Sequence, residues 1–144
     1  MKTASEITES LSATGFEGEI LSDIPNLIRY ENDTSLFELR PTLAVKPNDA
    51  DDIKKLVVFV SERKGDDASL SLTARAAGTG MAGGALNDSI VVDVCNMNHI
   101  KSVTKERAIV EPGVFYRDMD TETQKLGVIM PSFPASRNLC AVGG

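Results

Sequence analysis

Apolar positions along this chain change their period several times, and each change marks an element. Ile7 and Leu11 stand four apart behind Thr3-x-x-Glu6, a capping box, which predicts a short helix stopped near Gly15. A second short helix is expected after Pro25, carrying Leu27, Ile28 and Tyr30, and the polar run 31–35 turns the chain toward Leu43-Ala44-Val45. From Asn48 the period is helical. Asn48 is placed to cap, Asp49, Asp51 and Asp52 suit the positive end of the dipole, and Ile53, Leu56, Val57 and Val60 share one face, with Gly65 as stop. The three carboxylates are thus read as helix electrostatics and not as a metal site. Asp66 and Asp67 then turn the chain into a strand over 69–74, which completes a βαβ unit with the right-handed crossover such units adopt.

Further on, 90–94 read as an apolar strand, and the runs 102–104 and 108–110 as a hairpin turned by 105–107. A helix is predicted over 116–125, with Met119 and Leu126 facing in and Gly127 as stop, after which 128–130 lead into a proline-bounded loop. The fold class this order implies is α+β, with a small, mostly parallel sheet and helices outside it.

A chain of 144 residues makes one domain with a modest core, and 42% hydrophobic with 25% charged residues is a globular balance. The net charge of −6 disfavours nucleic acid or an anionic membrane as a direct partner. Apolar stretches such as 56–60 are too short to span a bilayer, and the first residues lack the apolar core of a signal peptide, so a cytoplasmic protein is expected. Cys95 and Cys140 have no Cys-x-x-Cys spacing, and with His99 the sole histidine no zinc site of ordinary ligand count can be assembled. Both thiols are expected reduced and buried, and His99 is expected to serve a turn or packing.

The chemistry lies between the two strand-like runs. Arg75-Ala76-Ala77-Gly78-Thr79-Gly80-Met81-Ala82-Gly83-Gly84 joins them with only 85–88 left before the next apolar run. Gly78-x-Gly80-x-x-Gly83 fits the Rossmann expression, but that site needs a helix opening at the glycines within a unit of roughly 30 residues, and no helix fits here. The Walker loop fails too, for want of a Gly-Lys-Ser/Thr triplet. Glycines at a tight bend between strands are the plainer reading. Against it, so many small residues around Thr79 exceed what a bend requires, and a run of backbone N–H groups held open is a nest for phosphate. A diphosphate-bearing cofactor suits it, and Gly78 and Gly80 are both expected to need glycine's backbone angles.

The same string, followed by Ile90-Val91-Val92-Asp93-Val94 and Asn96-Met97-Asn98-His99-Ile100, resembles the first flavin loop of the vanillyl-alcohol oxidase/p-cresol methylhydroxylase superfamily, the PCMH-type FAD-binding domain. Within it, the likeness is to D-lactate, glycolate and 2-hydroxyglutarate dehydrogenases. Pro41-Thr42-Leu43-Ala44-Val45-Lys46-Pro47, Val110-Glu111-Pro112-Gly113-Val114 and Pro131-Ser132-Phe133-Pro134-Ala135-Ser136 leading to Gly143-Gly144 follow in the family's order. The resemblance implies a helical lead-in over 1–36 and the first part of a PCMH-type domain over 37–144, with the rest of that domain and a substrate-bearing cap expected outside this sequence.

Carried over position by position, the resemblance makes Ala76, Ala77, Gly78, Thr79, Gly80 and Met81 the backbone donors to the FAD pyrophosphate, with Arg75 at the loop's base, there more an ion-pair anchor than a phosphate ligand. Pro131, Ser132, Ser136, Gly143 and Gly144 match the second loop along the flavin; without the resemblance Ser132 and Ser136 would pass as ordinary loop serines. Two positions that are often glycine are Ala76 and Ala77, and alanine resists positive φ. Thr79 stands where histidine-linked relatives carry their histidine, and Cys140-Ala141-Val142-Gly143 is one residue short of the cysteine-linked pattern, so non-covalent FAD is implied. The implied partner is a small 2-hydroxy-acid substrate, with the catalytic acid and base outside this sequence. The alternatives within the fold are a cell-wall enolpyruvyl-sugar reductase or the flavin subunit of a molybdenum hydroxylase, and beyond catalysis a nucleotide-binding module.

Overall fold

The structure, a computed structural model, describes residues 3–143. Helix α1 (Ala4–Ser12) opens on the expected capping box, with Thr3 and Glu6 each satisfying the other's backbone N–H. Strand β1 (Glu19–Leu21) follows, then α2 (Ile24–Leu27) continued by a 3₁₀ turn over Ile28–Tyr30. Strand β2 (Leu43–Lys46), helix α3 (Ala50–Arg63), β3 (Leu72–Arg75) and β4 (Ile90–Asp93) build the centre. A hairpin of β5 (Ile100–Val103) and β6 (Ala108–Val110) and helix α4 (Tyr116–Lys125) complete it.

The main sheet has the order β1-β2-β4-β3. Strands β2 and β3 both run parallel to β4, which therefore lies between the two strands that α3 connects, while β1 is antiparallel at the edge. Successive side chains of a strand point to opposite faces, and the core divides accordingly. Leu43 and Val45 of β2 with Ile90 and Val92 of β4 meet Leu56, Phe59 and Val60 of α3 and Ile7 and Leu11 of α1. Ala44 and Val91, between them in sequence, meet Leu21, Leu27 and Tyr30 on the other face. A sheet covered on both sides explains why these strands read as continuous apolar runs. Full burial of a side chain such as Leu56 or Phe59 is worth about 1.5–3 kcal/mol. A third cluster, Val114, Tyr116, Met119 and Cys140, joins α4 to the hairpin.

Several expectations need correction. Asp49, not Asn48, caps α3: its side chain accepts the N–H groups of Asp51 and Asp52. The backbone N–H of Asn48 is instead held by Asp52, whose buried carboxylate also accepts from the Glu17 N–H, both at 3.0 Å. Burial pushes the Asp52 pKa up, but those two bonds and Lys55 at 3.4 Å outweigh it and leave it below its ordinary value. Val57 is exposed and Phe59 takes the inward position, because the face in contact with the sheet runs through 52, 56, 59 and 60. Leu126 likewise stands partly in solvent past the end of α4. Gly65 has no positive φ; α3 stops at Lys64 without it. The strand before the glycine loop begins at Leu72, three residues later than expected. None of the described helices is long and apolar enough to cross a membrane.

Candidate functional site

Strand β3 ends at Arg75, and residues 76–89 carry the chain over the sheet's end into β4. Exit from this loop is fixed by a buried polar knot. Asn87 accepts from the Ser89 N–H and donates to Thr73 Oγ1 at 2.8 Å and Ser71 Oγ at 3.1 Å, while Ser89 Oγ accepts from the Ser71 N–H. Within the loop Gly78 (φ +66°) and Gly83 (φ +75°) adopt the left-handed region, and no described non-glycine residue does. Ala76 and Ala77 thus sit where alanine is unstrained, whereas Gly80 lacks the expected positive φ and a Cβ there would meet open space.

Among the described residues, nothing accepts the backbone N–H groups of residues 77–82. Gly80, Met81 and Ala82 are exposed, so these N–H groups are open to an acceptor from outside, and a run of them can form a nest for an anion.

Arg75 is not the ion-pair anchor expected. Its guanidinium donates to the backbone carbonyls of Tyr30 (3.3 Å), Arg29 (3.4 Å) and Asn32 (2.8 Å), 5.6 Å from the centre of the Tyr30 ring. It lies flat beneath Gly78, where any Cβ would come within 2.6 Å of it. Tyr30 in turn donates its hydroxyl to Asp93 at 2.8 Å, and burial first, then Asp93, drive its pKa upward.

Two clefts open beside the loop. The smaller, about 250 Å³, is lined by residues 76–82 with Gly84, Ala85, Ala141 and Gly143, so it brings the two glycine-bearing loops together. The larger, about 850 Å³, runs between the hairpin, α4 and the second loop; Pro131, Ser132 and Ser136 line it, and Thr79 and Gly80 border both clefts. Ser132 and Ser136 hydroxyls have no hydrogen-bond partner among the described residues. Gly143 donates its N–H to the Pro112 carbonyl at 2.7 Å, and a Cβ on it would approach the Pro112 ring to 2.5 Å. Gly144 lies outside the described residues.

Cys140 is buried at the wall of the larger cleft, and Cys95 is half-buried under the sheet's end. Burial, with Asp93 next to it, pushes the Cys95 thiol up to about 12. His99 is exposed at the foot of the hairpin, its ring Nδ1 2.8 Å from Glu111, away from both clefts.

Sequence reading missed three residues that shape the loop. Asn87, three positions before the apolar strand at Ile90, is a turn-type residue whose position could have served as a signal. Thr34, which donates its hydroxyl to the Gly80 carbonyl at 2.9 Å, and Phe37, whose ring lies under Gly83, are 46 positions from the residues they hold and give no local signal.

The chemistry of the donor set fits the diphosphate of a dinucleotide: unpaired amides at the junction of a small cleft and a larger one, both lined mostly by apolar groups. Residues 41–144 match the family described as the FAD binding domain. The chain belongs to that family. The D-2-hydroxyglutarate dehydrogenase of Pseudomonas putida is 31% identical over 142 residues, 96% of this chain, and the match spans 14% of that relative's length. Among solved structures, an alkyldihydroxyacetonephosphate synthase superposes with a TM-score of 0.78 at 18% identity, over 99% of this chain and 28% of its own. A substrate-bound p-cresol methylhydroxylase gives 0.72 at 22% identity, over 94% and 27%. These last two establish the fold alone, which the chain shares with them over nearly its whole length.

Proposed function

We propose that this chain supplies the diphosphate-binding part of the FAD site in a flavoprotein dehydrogenase that oxidises a 2-hydroxy acid, with the flavin held non-covalently. The observation that carries the reading is the unpaired run of amides at 77–82, set at the junction of the two clefts. The substrate class rests on the likeness to D-2-hydroxyglutarate dehydrogenase.

In this reading residues 77–82 bind and orient the diphosphate through backbone N–H groups, which neither titrate nor require a cation. Thr79 can add its hydroxyl from the border of both clefts. Ser132 and Ser136 offer hydroxyls along the larger cleft, whose apolar wall of Val110, Met119 and Met130 excludes water from whatever lies in it. When bound, FAD would supply the hydride acceptor for a C–H bond next to a hydroxyl. Thr79 cannot form the link a histidine forms, which supports a non-covalent flavin.

The test is an NMR titration of the ¹⁵N-labelled chain with FAD. Amide signals of 77–82 are expected to shift and those of α1 (Ala4–Ser12), which lines neither cleft, to stay. Affinity should be weaker than micromolar, because each hydrogen bond to a well-hydrated diphosphate nets only about 1 kcal/mol. Shifts confined to residues away from 77–82 overturn the assignment. For the flavin-loaded protein, acid precipitation should release all flavin to the supernatant; fluorescence retained on the denatured polypeptide would point to Cys140 as an attachment site. The substrate class is tested by anaerobic bleaching with D-2-hydroxyglutarate or D-lactate in a longer flavin-loaded protein that carries the rest of the flavin domain and the substrate-bearing part.

A further inference from the structure

We infer that the arm formed by residues 31–39, which precedes the matched region 41–144, sets the conformation of the diphosphate loop, with Thr34, Phe37 and Arg75 as its positioning residues. The inference rests on the reading of 77–82 as the diphosphate site.

The arm is closed on itself. The Leu39 N–H donates to the Glu31 carbonyl at 2.8 Å, Asn32 bridges Glu38, and Arg40 Nε lies 2.6 Å from Glu31 Oε2. Inside it, Asp33 accepts from the Ser35 N–H and Ser35 Oγ from the Phe37 N–H, so the tip is held in a defined turn. Three contacts run from this arm and the turn just before it to the glycine loop, at its start, middle and end.

At the start, Arg75 donates to carbonyls of 29, 30 and 32, and its guanidinium thereby becomes a fixed floor under Gly78. In the middle, Thr34 holds the Gly80 carbonyl. Across a planar trans peptide the C=O and the following N–H point in opposite directions, so pinning that oxygen to Thr34 turns the Met81 N–H away from the arm. At the end, the Phe37 ring fills the space a Cβ of Gly83 would need, 2.8 Å from it.

The arm buries little for its own sake. Leu36 is 102% exposed and Phe37 62%, so what 33–37 contribute lies in contacts with the loop more than in a core of their own. A loop whose amides must stay unpaired has no hydrogen bonds of its own to define it, and these outside contacts replace them.

Thr34→Val, Phe37→Ala, Arg75→Met and Arg75→Lys in the whole chain test this, with ¹⁵N order parameters and FAD titration as readouts. Thr34 and Phe37 are exposed, so those variants should melt like the parent. In them the order parameters of 77–82 are expected to fall from about 0.85 toward 0.6 while the sheet's stay unchanged. FAD affinity should fall about fivefold for Thr34→Val, the worth of one net hydrogen bond, more for Arg75→Met, with partial recovery in Arg75→Lys. Parent-like order parameters and affinity in Thr34→Val and Phe37→Ala would overturn the inference, as would loosening spread evenly over the molecule. Gly78→Val separates the two readings: if it leaves the FAD titration unchanged while the arm variants still loosen 77–82, the diphosphate assignment fails and the arm's hold on the loop stands.

Discussion

The two loops that meet at the smaller cleft differ in how much of their backbone they pair within the protein. In the first, residues 77–82 keep their N–H groups unpaired and are held from outside. In the second, the N–H groups of Arg137, Leu139, Cys140, Val142 and Gly143 are spent within the protein, on the carbonyls of Pro134, Ser136 (twice), Val114 and Pro112, while those of Ser132, Phe133, Ala135, Ser136, Asn138 and Ala141 have no acceptor among the described residues. Arg137 adds a contact 4.8 Å from the centre of the Phe133 ring, and Arg117 donates to the Asn138 carbonyl at 2.7 Å. A stretch such as 137–143, which has used most of its backbone, is held by its own bonds and has fewer amides left to offer. One that has saved its backbone can grip an anion, yet depends on neighbours for its shape. Glycine accordingly does different work in each: at Gly78 it supplies a left-handed φ, at Gly143 it permits close approach to Pro112.

The largest effect expected from this contrast is in Gly78→Val. A branched residue at φ +66° costs on the order of 1–3 kcal/mol and would displace Arg75 as well, so the loop should lose its FAD response while the sheet stays folded. Gly143→Ala should do the reverse: overpacking against Pro112 costs about 1–3 kcal/mol of stability, read as a lower melting temperature, with the 77–82 amide shifts on FAD addition retained. A Gly143→Ala protein that melts normally but no longer responds to FAD would erase the distinction. Ser132→Ala combined with Ser136→Ala should weaken FAD by no more than about 1 kcal/mol, because hydroxyls without protein partners leave nothing unsatisfied when removed. Loss of binding in that pair would mean the second loop carries the affinity.

The smallest effect is in acid. The Glu111 carboxyl is held down to about 2 by the His99 backbone N–H, then by the His99 ring and Lys101. Its folded pKa lies below its ordinary 4.5, so this contribution is complete above that pH and is lost as pH falls from 4.5 through about 2. Glu111 precedes Pro112, the seat of Gly143, so acid in that window should loosen the second loop before the first. Glu111→Gln should flatten that part of the stability profile; an unchanged acid limb would show that Glu111 has no part in it.

Much of this was legible in the chain. The helix at 116–125 and the hairpin around 105–107 follow the predicted periods, since each is decided by neighbours a few positions away. The glycine loop was legible for the same reason, its residue types being what open backbone demands. What escaped reading was decided at long range. Strand β1 has three residues beside Gly18 and no alternation to display; only its pairing with β2 makes it a strand. Asp49 and Asn48 are equally good caps in sequence; the structure gives the role to Asp49, while the Asn48 side chain donates to the Glu17 carbonyl and its N–H to Asp52. Arg75 suggests an ion pair to any reader of sequence, whereas its acceptors are three carbonyls that no side-chain pattern reveals.

The long reach of those contacts bears on when the site comes into being. Arg75 finds its carbonyls 45, 46 and 43 positions back, and Thr34 finds Gly80 46 positions ahead. Closing so wide a chain interval is slow compared with forming a helix or hairpin, so the grip of 77–82 on an anion should mature after the local elements are in place. During synthesis the loop would emerge shapeless and acquire its form only once both sides of the sheet have met. The appearance of a ligand-responsive loop is then a clock for the end of folding, readable in a stopped-flow experiment as a phase later than the gain of helix.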